Sequence, residues 1–215
     1  LASISCRSPC PWPVVFLTPL LVAYGFHLTG ELRVAVNLSF GARLLPVLLT
    51  ACGFAVAIKA LNPFVSLRPY RRRLDEAIAA DLLADYDLVL DGSDNFDTRY
   101  LANETAVVLG MPLISGALSQ WEGQVAVFDP KTFGPCYACV FPSAPAEGLA
   151  PSCAEAGVFA PLPGVVGAIM AAEALKLLSD AGTALRGHML IYDALYGETR
   201  KLKMTPRTDC PICGG

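Results

Sequence analysis

The chain has 215 residues, 54% of them hydrophobic and 16% charged, with a formal net charge of −3. That length accommodates one domain, or one domain with an extension, and the acidic balance excludes the basic footprint expected of a nucleic-acid binder. Eight cysteines raise the question of disulfides, but four of them form two Cys-x-x-Cys pairs, a spacing that favours zinc in a reducing, cytoplasmic compartment.

Charge is unevenly spread. Residues 1–58 contain Arg7, Glu31, Arg33 and Arg43 and no other charged residue. This shift marks a boundary candidate near Ile58, between an apolar first quarter and a regular remainder. Residues 8–30 carry no charge and are long enough to cross a bilayer, which takes about 20 apolar residues. Pro9, Pro11, Pro13 and Pro19 crowd the first half of any helix there, so membrane association is the minor reading. Gly25, Gly30, Gly41 and Gly53 are isolated and build no G-x-G-x-x-G phosphate loop. His27, Cys6, Cys10 and Cys52 receive no role.

From Lys59 the pattern becomes regular. Residues 64–70 alternate like a strand after the Asn62-Pro63 break. Residues 74–86 place Ile78, Leu82, Leu83 and Tyr86 at helical spacing. Residues 87–91 form a short apolar run ending at an acid and Gly92, as a buried parallel strand does. Residues 93–95 supply helix caps, and a helix over 96–109 stops at Gly110. Strands follow at 112–117 and 124–129, a long apolar helix at 163–178, and closing strands at 189–192 and 200–203. Gly164, Gly167 and Ala171 allow that long helix a close backbone approach. Alternation of strand and helix predicts a Rossmann-like, mostly parallel sheet with helices on both faces, antiparallel C-terminal strands and a zinc site.

Three constellations carry chemistry. Cys136, Cys139, Cys210 and Cys213 can each supply a thiolate to a closed tetrahedral Cys₄ site, which is structural. The pairs lie far apart in sequence, so the metal would tie the chain's end to its middle. Asp94 and Asn95 sit at the carboxyl end of a predicted strand, where ligands bind in open α/β sheets. A carboxylate there can hold Mg²⁺ beside a triphosphate; it can equally cap the helix. Asn95 could hydrogen-bond a nucleotide, and Arg99, a turn further on, could reach a phosphate or an acid. Cys153 belongs to neither pair and lies in a loop, as a nucleophile or as a small buried hydrophobe.

The segments DLVLDGSDNFDTRYLAN, PLISGALSQWEGQVAVF, GPCYACVFP, PSCAEAGVFAPLPGVVG, AAEALKLL and DCPICG occur in that order. With them the chain resembles the ubiquitin-activating-enzyme-like adenylyltransferases (the HesA/MoeB/ThiF group), nearest the molybdopterin-synthase branch and next the thiamine-thiazole branch. The resemblance covers residues 56–215. It implies ATP-dependent adenylation of the C-terminal Gly-Gly carboxylate of a ubiquitin-like sulfur-carrier protein, with Mg²⁺ as cofactor and Zn²⁺ as structural metal. It implies a catalytic, metal- and ATP-associated Asp94 with Asn95 beside it, the four cysteines as zinc ligands, and Cys153 as a covalent acceptor in some members. It further implies a homodimer and a sulfurtransferase partner.

The family's glycine-rich loop, ribose-binding acid and phosphate-contacting lysine belong upstream of residue 56, and residues 1–55 show none of them. The expectation is therefore an incomplete ATP site with little ATP–pyrophosphate exchange. The alternative is a non-catalytic, zinc-stabilised module that docks a ubiquitin-like protein.

Overall fold

The computed structural model describes residues 58–64, 67–68, 70, 73–132, 134–146 and 157–214, and the backbone of 34–37. Its strands form one six-stranded sheet in chain order: β1 (Val34–Asn37), β2 (Leu88–Asp91), β3 (Leu113–Leu118), β4 (Glu122–Phe128), β5 (His188–Asp193) and β6 (Glu198–Lys203). The helices are α1 (Glu76–Leu83), α2 (Phe96–Leu109), the single turn α3 (Tyr137–Val140) and α4 (Leu162–Ser179).

β1, β2 and β3 run parallel, and β3 through β6 are antiparallel. The sheet is thus mixed among the described residues, with the antiparallel C-terminal strands that were expected, and its antiparallel part begins already at β4. The cause is loop length. Only residues 119–121 separate β3 from β4, with the Ser119 N–H donating to Glu122 O at 2.8 Å. So short a link can form a hairpin but not a parallel crossover, which needs a dozen residues or more.

Two further differences concern the ends of the regular part. The described residues of 64–70 lie in no strand. The Phe64 N–H donates to Asn62 Oδ1 at 3.0 Å, a local Asx turn that leads the chain outward, and Phe64 is 84% exposed. Conversely, β1 comes from the segment in which no element was expected, pairing Val34 with Leu88 and Asn37 with Asp91.

Strand residues alternate between two apolar layers. Val89, Leu113, Ala126 and Phe128 face α1 and α2 with Leu83, Ala102, Ala106 and Tyr137. Leu88, Leu90, Ile114, Val125 and Val127 face α4, whose stripe Leu162, Val166, Met170 and Ala174 repeats every four residues. The close approach of α4 is made on the sheet side. A Cβ on Gly116 would lie 2.3 Å from Met170 Sδ, and one on Gly123 the same distance from Val166 Cγ2. By length and composition α4 could cross a membrane, yet it packs here as a core helix on the sheet. The apolar stretch 8–30 lies outside the described residues.

Local chemistry explains the helix ends. Asn95 caps α2 by accepting the Thr98 N–H on Oδ1 at 2.9 Å, and Gly110 closes it in the left-handed region at φ 62°. Pro163 falls in the first turn of α4, where its missing N–H costs nothing.

Candidate functional site

The carboxyl ends of β2 and β3 meet the start of α2, where the sheet turns from parallel to antiparallel. Asp94 is exposed on the four-residue turn 92–95. The turn is anchored from below. Asp91 is 1% exposed and accepts the Ser93 N–H on Oδ1 at 3.1 Å. Arg99 is also buried, so the expected reach to a phosphate gives way to inward contacts. Its guanidinium donates to Ser115 Oγ at 3.2 Å, to Gly116 O at 3.0 Å and to Ser93 O, and lies 3.9 Å from Asp91 Oδ2. The acid that Arg99 reaches is therefore Asp91. Asp91 Oδ2 and Ser93 Oγ are buried without a hydrogen-bond partner, polar capacity at the very edge where α/β sheets take their ligands. From the sequence, Asp91 read as the strand end that opens this constellation and Ser93 as a helix cap, neither with a role in holding the turn, and Ser115 was not singled out.

The arrangement offers an outward carboxylate on a rigid turn beside the positive end of a 14-residue helix. This can hold a divalent cation against phosphate oxygens. Gly92, Gly116 and Gly167 border a small void of about 10 Å³ behind the turn. A larger groove of about 560 Å³ opens between α1 and α2. Its charged lining includes Glu76, Asp97 and Glu104 with Arg73, an excess of negative charge unsuited to a triphosphate.

The two knuckles come together as the spacing predicts. The four sulfur atoms all lie within 4.8 Å of one another. Individual separations are 3.9 Å for Cys136–Cys139, 3.6 Å for Cys136–Cys210 and 3.4 Å for Cys139–Cys213. Zinc–sulfur bonds of 2.3 Å in a tetrahedron put the sulfurs about 3.8 Å apart, whereas a disulfide needs about 2.05 Å. The donor set and its spacing fit zinc. Burial drives the Cys136 thiol far up and raises Cys139 as well. Burial also acts upward on Cys210, but backbone N–H groups of Cys213 and Ile212 and neighbouring thiols outweigh it, bringing Cys210 down to about 7. Several thiolates in one buried cluster require a cation among them, which zinc would supply.

The first knuckle is bolted to α2. Asn103 Oδ1 accepts the Tyr137 N–H at 2.8 Å, and Tyr100 donates its hydroxyl to Phe141 O at 2.8 Å. The Tyr137 ring packs edge-on against Tyr100 and Phe128. One helix thus carries the Asp94 turn at its start and supports the metal clamp along its side. Cys153 lies outside the described residues. The chain resumes at 157, and Phe159 stacks on Trp121 of the β3–β4 hairpin at 4.9 Å.

Known proteins resemble this chain in sequence and in fold. Among curated proteins, a sulfur carrier protein adenylyltransferase of Thermus thermophilus is 54% identical over 161 residues, covering 73% of this chain and 59% of that protein. A SAMP-activating enzyme E1 of Haloferax volcanii is 45% identical over 160 residues, 74% of this chain and 58% of that protein. The adenylyltransferase and sulfurtransferase MOCS3 of Mus musculus is 41% identical over 161 residues, 74% of this chain and 35% of that one. The chain therefore spans between about a third and three-fifths of the length of these relatives. Among solved structures, E. coli MccB with ATP superposes with a TM-score of 0.70 at 13% identity, over 92% of this chain and 70% of that one. PaaA superposes with a TM-score of 0.60 at 15% identity, over 89% and 76%. Both establish the fold alone. The sequence pattern of the ThiF family matches residues 52–212, most of the chain and reaching into the second knuckle, and the chain belongs to the ThiF family.

Proposed function

We propose that this chain adenylates the C-terminal Gly-Gly carboxylate of a ubiquitin-like sulfur-carrier protein, with ATP as co-substrate, in the molybdopterin or thiamine pathway. One observation carries the reading. A relative named sulfur carrier protein adenylyltransferase shares 54% of 161 residues, and the family match runs through the turn that exposes Asp94 at the carboxyl edge of the parallel strands.

In this reading a carrier carboxylate oxygen attacks the α-phosphorus. The acyl–oxygen–phosphorus bond forms as the bond to the pyrophosphate oxygen breaks, and pyrophosphate leaves. The carboxylate is already ionised at neutral pH, so the chain need supply no general base. Its work is to align the two reactants and offset charge. Mg²⁺, held by Asp94, would neutralise the triphosphate when bound. Asn95 fixes the start of α2, whose N-terminal partial positive charge favours phosphate nearby. Cys153 is the acceptor for an onward acyl transfer with AMP as leaving group. The zinc clamp is structural, with all four positions filled by thiolates. A homodimer, a sulfurtransferase partner and cytoplasmic placement complete the reading.

Turnover by these 215 residues alone is expected to be low, because residues 1–55 show no recognisable glycine-rich loop. The same fact favours the second reading, a zinc-stabilised module that binds a ubiquitin-like protein without catalysis. ATP–pyrophosphate exchange in the presence of a Gly-Gly carrier, with carrier binding measured by calorimetry, separates them. Weak exchange that falls to background in Asp94→Asn supports adenylation at this site. Exchange unaffected by Asp94→Asn would sink the assignment, and robust exchange by the chain would refute the expectation of an incomplete ATP site. Carrier binding with no exchange at all selects the binding module.

A further inference from the structure

We propose that Asp91 and Arg99 are positioning residues for Asp94, a buried ion pair that grips both backbone polar groups of the residue immediately before it. The inference rests on the assignment of Asp94 as the metal-holding carboxylate of the adenylation reading.

The geometry is specific to that turn. Both backbone polar groups of Ser93 end on the pair: its N–H on Asp91 Oδ1 at 3.1 Å, and its carbonyl on Arg99 Nη2. Arg99 then spans to the neighbouring strand through Ser115 Oγ and Gly116 O. Its planar fork reaches two carbonyls and a hydroxyl at once, which a single ammonium on a flexible stem does not reproduce. On the far side of Asp94, Asn95 is held by its cap to Thr98. Asp94 is therefore the exposed residue between two immobilised neighbours, although Gly92 beside them has the most backbone freedom of any residue type. The pair is an expensive way to obtain stability alone, since a buried ion pair contributes no more than well-packed apolar side chains of the same volume. Its hydrogen bonds converge on the strand ends and the turn, and leave the apolar layers to pack without it.

The test uses the full chain and the variants Arg99→Lys and Asp91→Asn, which keep the approximate volume; if one does not fold, the other is read. Amide hydrogen exchange of residues 92–96 should quicken about tenfold or more in the variants, while β4 stays protected. Mn²⁺ binding to the chain in the presence of ATP, followed by electron paramagnetic resonance, should weaken about 10–100-fold, as for residues that orient a metal ligand. Methylguanidinium should restore it in Arg99→Ala. Unchanged exchange at 92–96 overturns the clamp. Faster exchange with undiminished Mn²⁺ affinity, when Asp94→Asn has lost it, overturns the positioning role and leaves the pair structural. Equal Mn²⁺ binding by wild type and Asp94→Asn removes the metal-site assignment itself, and the positioning role with it.

Discussion

Replacing Gly123 by alanine should destabilise the protein, against the ordinary sign of that substitution in a strand. Alanine for glycine in a strand interior normally gains about 0.5–1 kcal/mol from lost unfolded-state freedom. Here the new Cβ would lie 2.3 Å from Val166 Cγ2 and 3.3 Å from Leu162 Cδ1. Carbon atoms rest about 3.5–4.0 Å apart, so the overlap with Val166 is about 1.5 Å. Neither side can yield readily. Gly123 is paired on both edges, with Leu118 of β3 and Tyr192 of β5, and valine in a helix is confined to essentially one rotamer. Overpacking of this kind costs about 1–3 kcal/mol, leaving a net loss of about 2 kcal/mol at the upper end. For a chain of this size that lowers Tm by about 4–8 °C. Differential scanning calorimetry of Gly123→Ala, Val166→Ala and the double variant measures both the sign and the coupling. The double variant should be at least about 1 kcal/mol more stable than the sum of the single effects, as expected for residues in contact. A Tm raised by Gly123→Ala, or strictly additive effects, would refute the close packing of α4 on β4.

Gly116→Ala should cost less than Gly123→Ala in the same assay, because its closest neighbour is the flexible Met170 side chain at 2.3 Å, with Val166 Cγ1 farther at 3.3 Å. Cys210→Ser should abolish bound zinc by elemental analysis. By analogy with a covalent cross-link over the intervening loop, worth roughly 4 kcal/mol, it should lower Tm by about 8–16 °C, and a chelator should do the same to the wild type. Unchanged zinc content and Tm would contradict the clamp. Burial raises the Tyr137 hydroxyl to about 12 from an unfolded value of about 10. A raised folded pKa stabilises below the unfolded value, and that contribution disappears as pH climbs through the folded one. Relative to Tyr137→Phe, the wild type should lose about 2–3 kcal/mol between pH 10 and 12, read from urea midpoints; parallel pH profiles would count against it.

Much of the site was legible because its signals are local. The Cys-x-x-Cys spacing marks a metal knuckle wherever it lies, and the expected tetrad assembles with sulfurs within 4.8 Å. The run ending at Asp91, the cap at Asn95 and the stop at Gly110 located β2 and α2, the latter with the boundaries expected. Other features were hidden for physical reasons. The strand Val34–Asn37 is four residues long, too short for a periodic signal to set it apart from its surroundings. The stretch 64–70 alternates in sequence, but its two end residues, Phe64 and Tyr70, are exposed and face no apolar layer. Arg99 read as reaching either a phosphate or an acid, because helical spacing says nothing of the depth at which a side chain ends; the structure gives it the acid Asp91.

The linear chain by itself determined the ligand chemistry: four thiols in two knuckles, an acid on a strand-to-helix turn, and strands and helices of the right period. Tertiary structure decided what those groups face. The short β3–β4 link turned the sheet antiparallel and set Gly123 beneath α4. Burial turned Arg99 inward onto Asp91 and Ser93, leaving Asp94 as the exposed acid of the turn. Residue type and spacing are properties of the chain, whereas exposure, charge pairing and close packing exist only between segments that folding brings together.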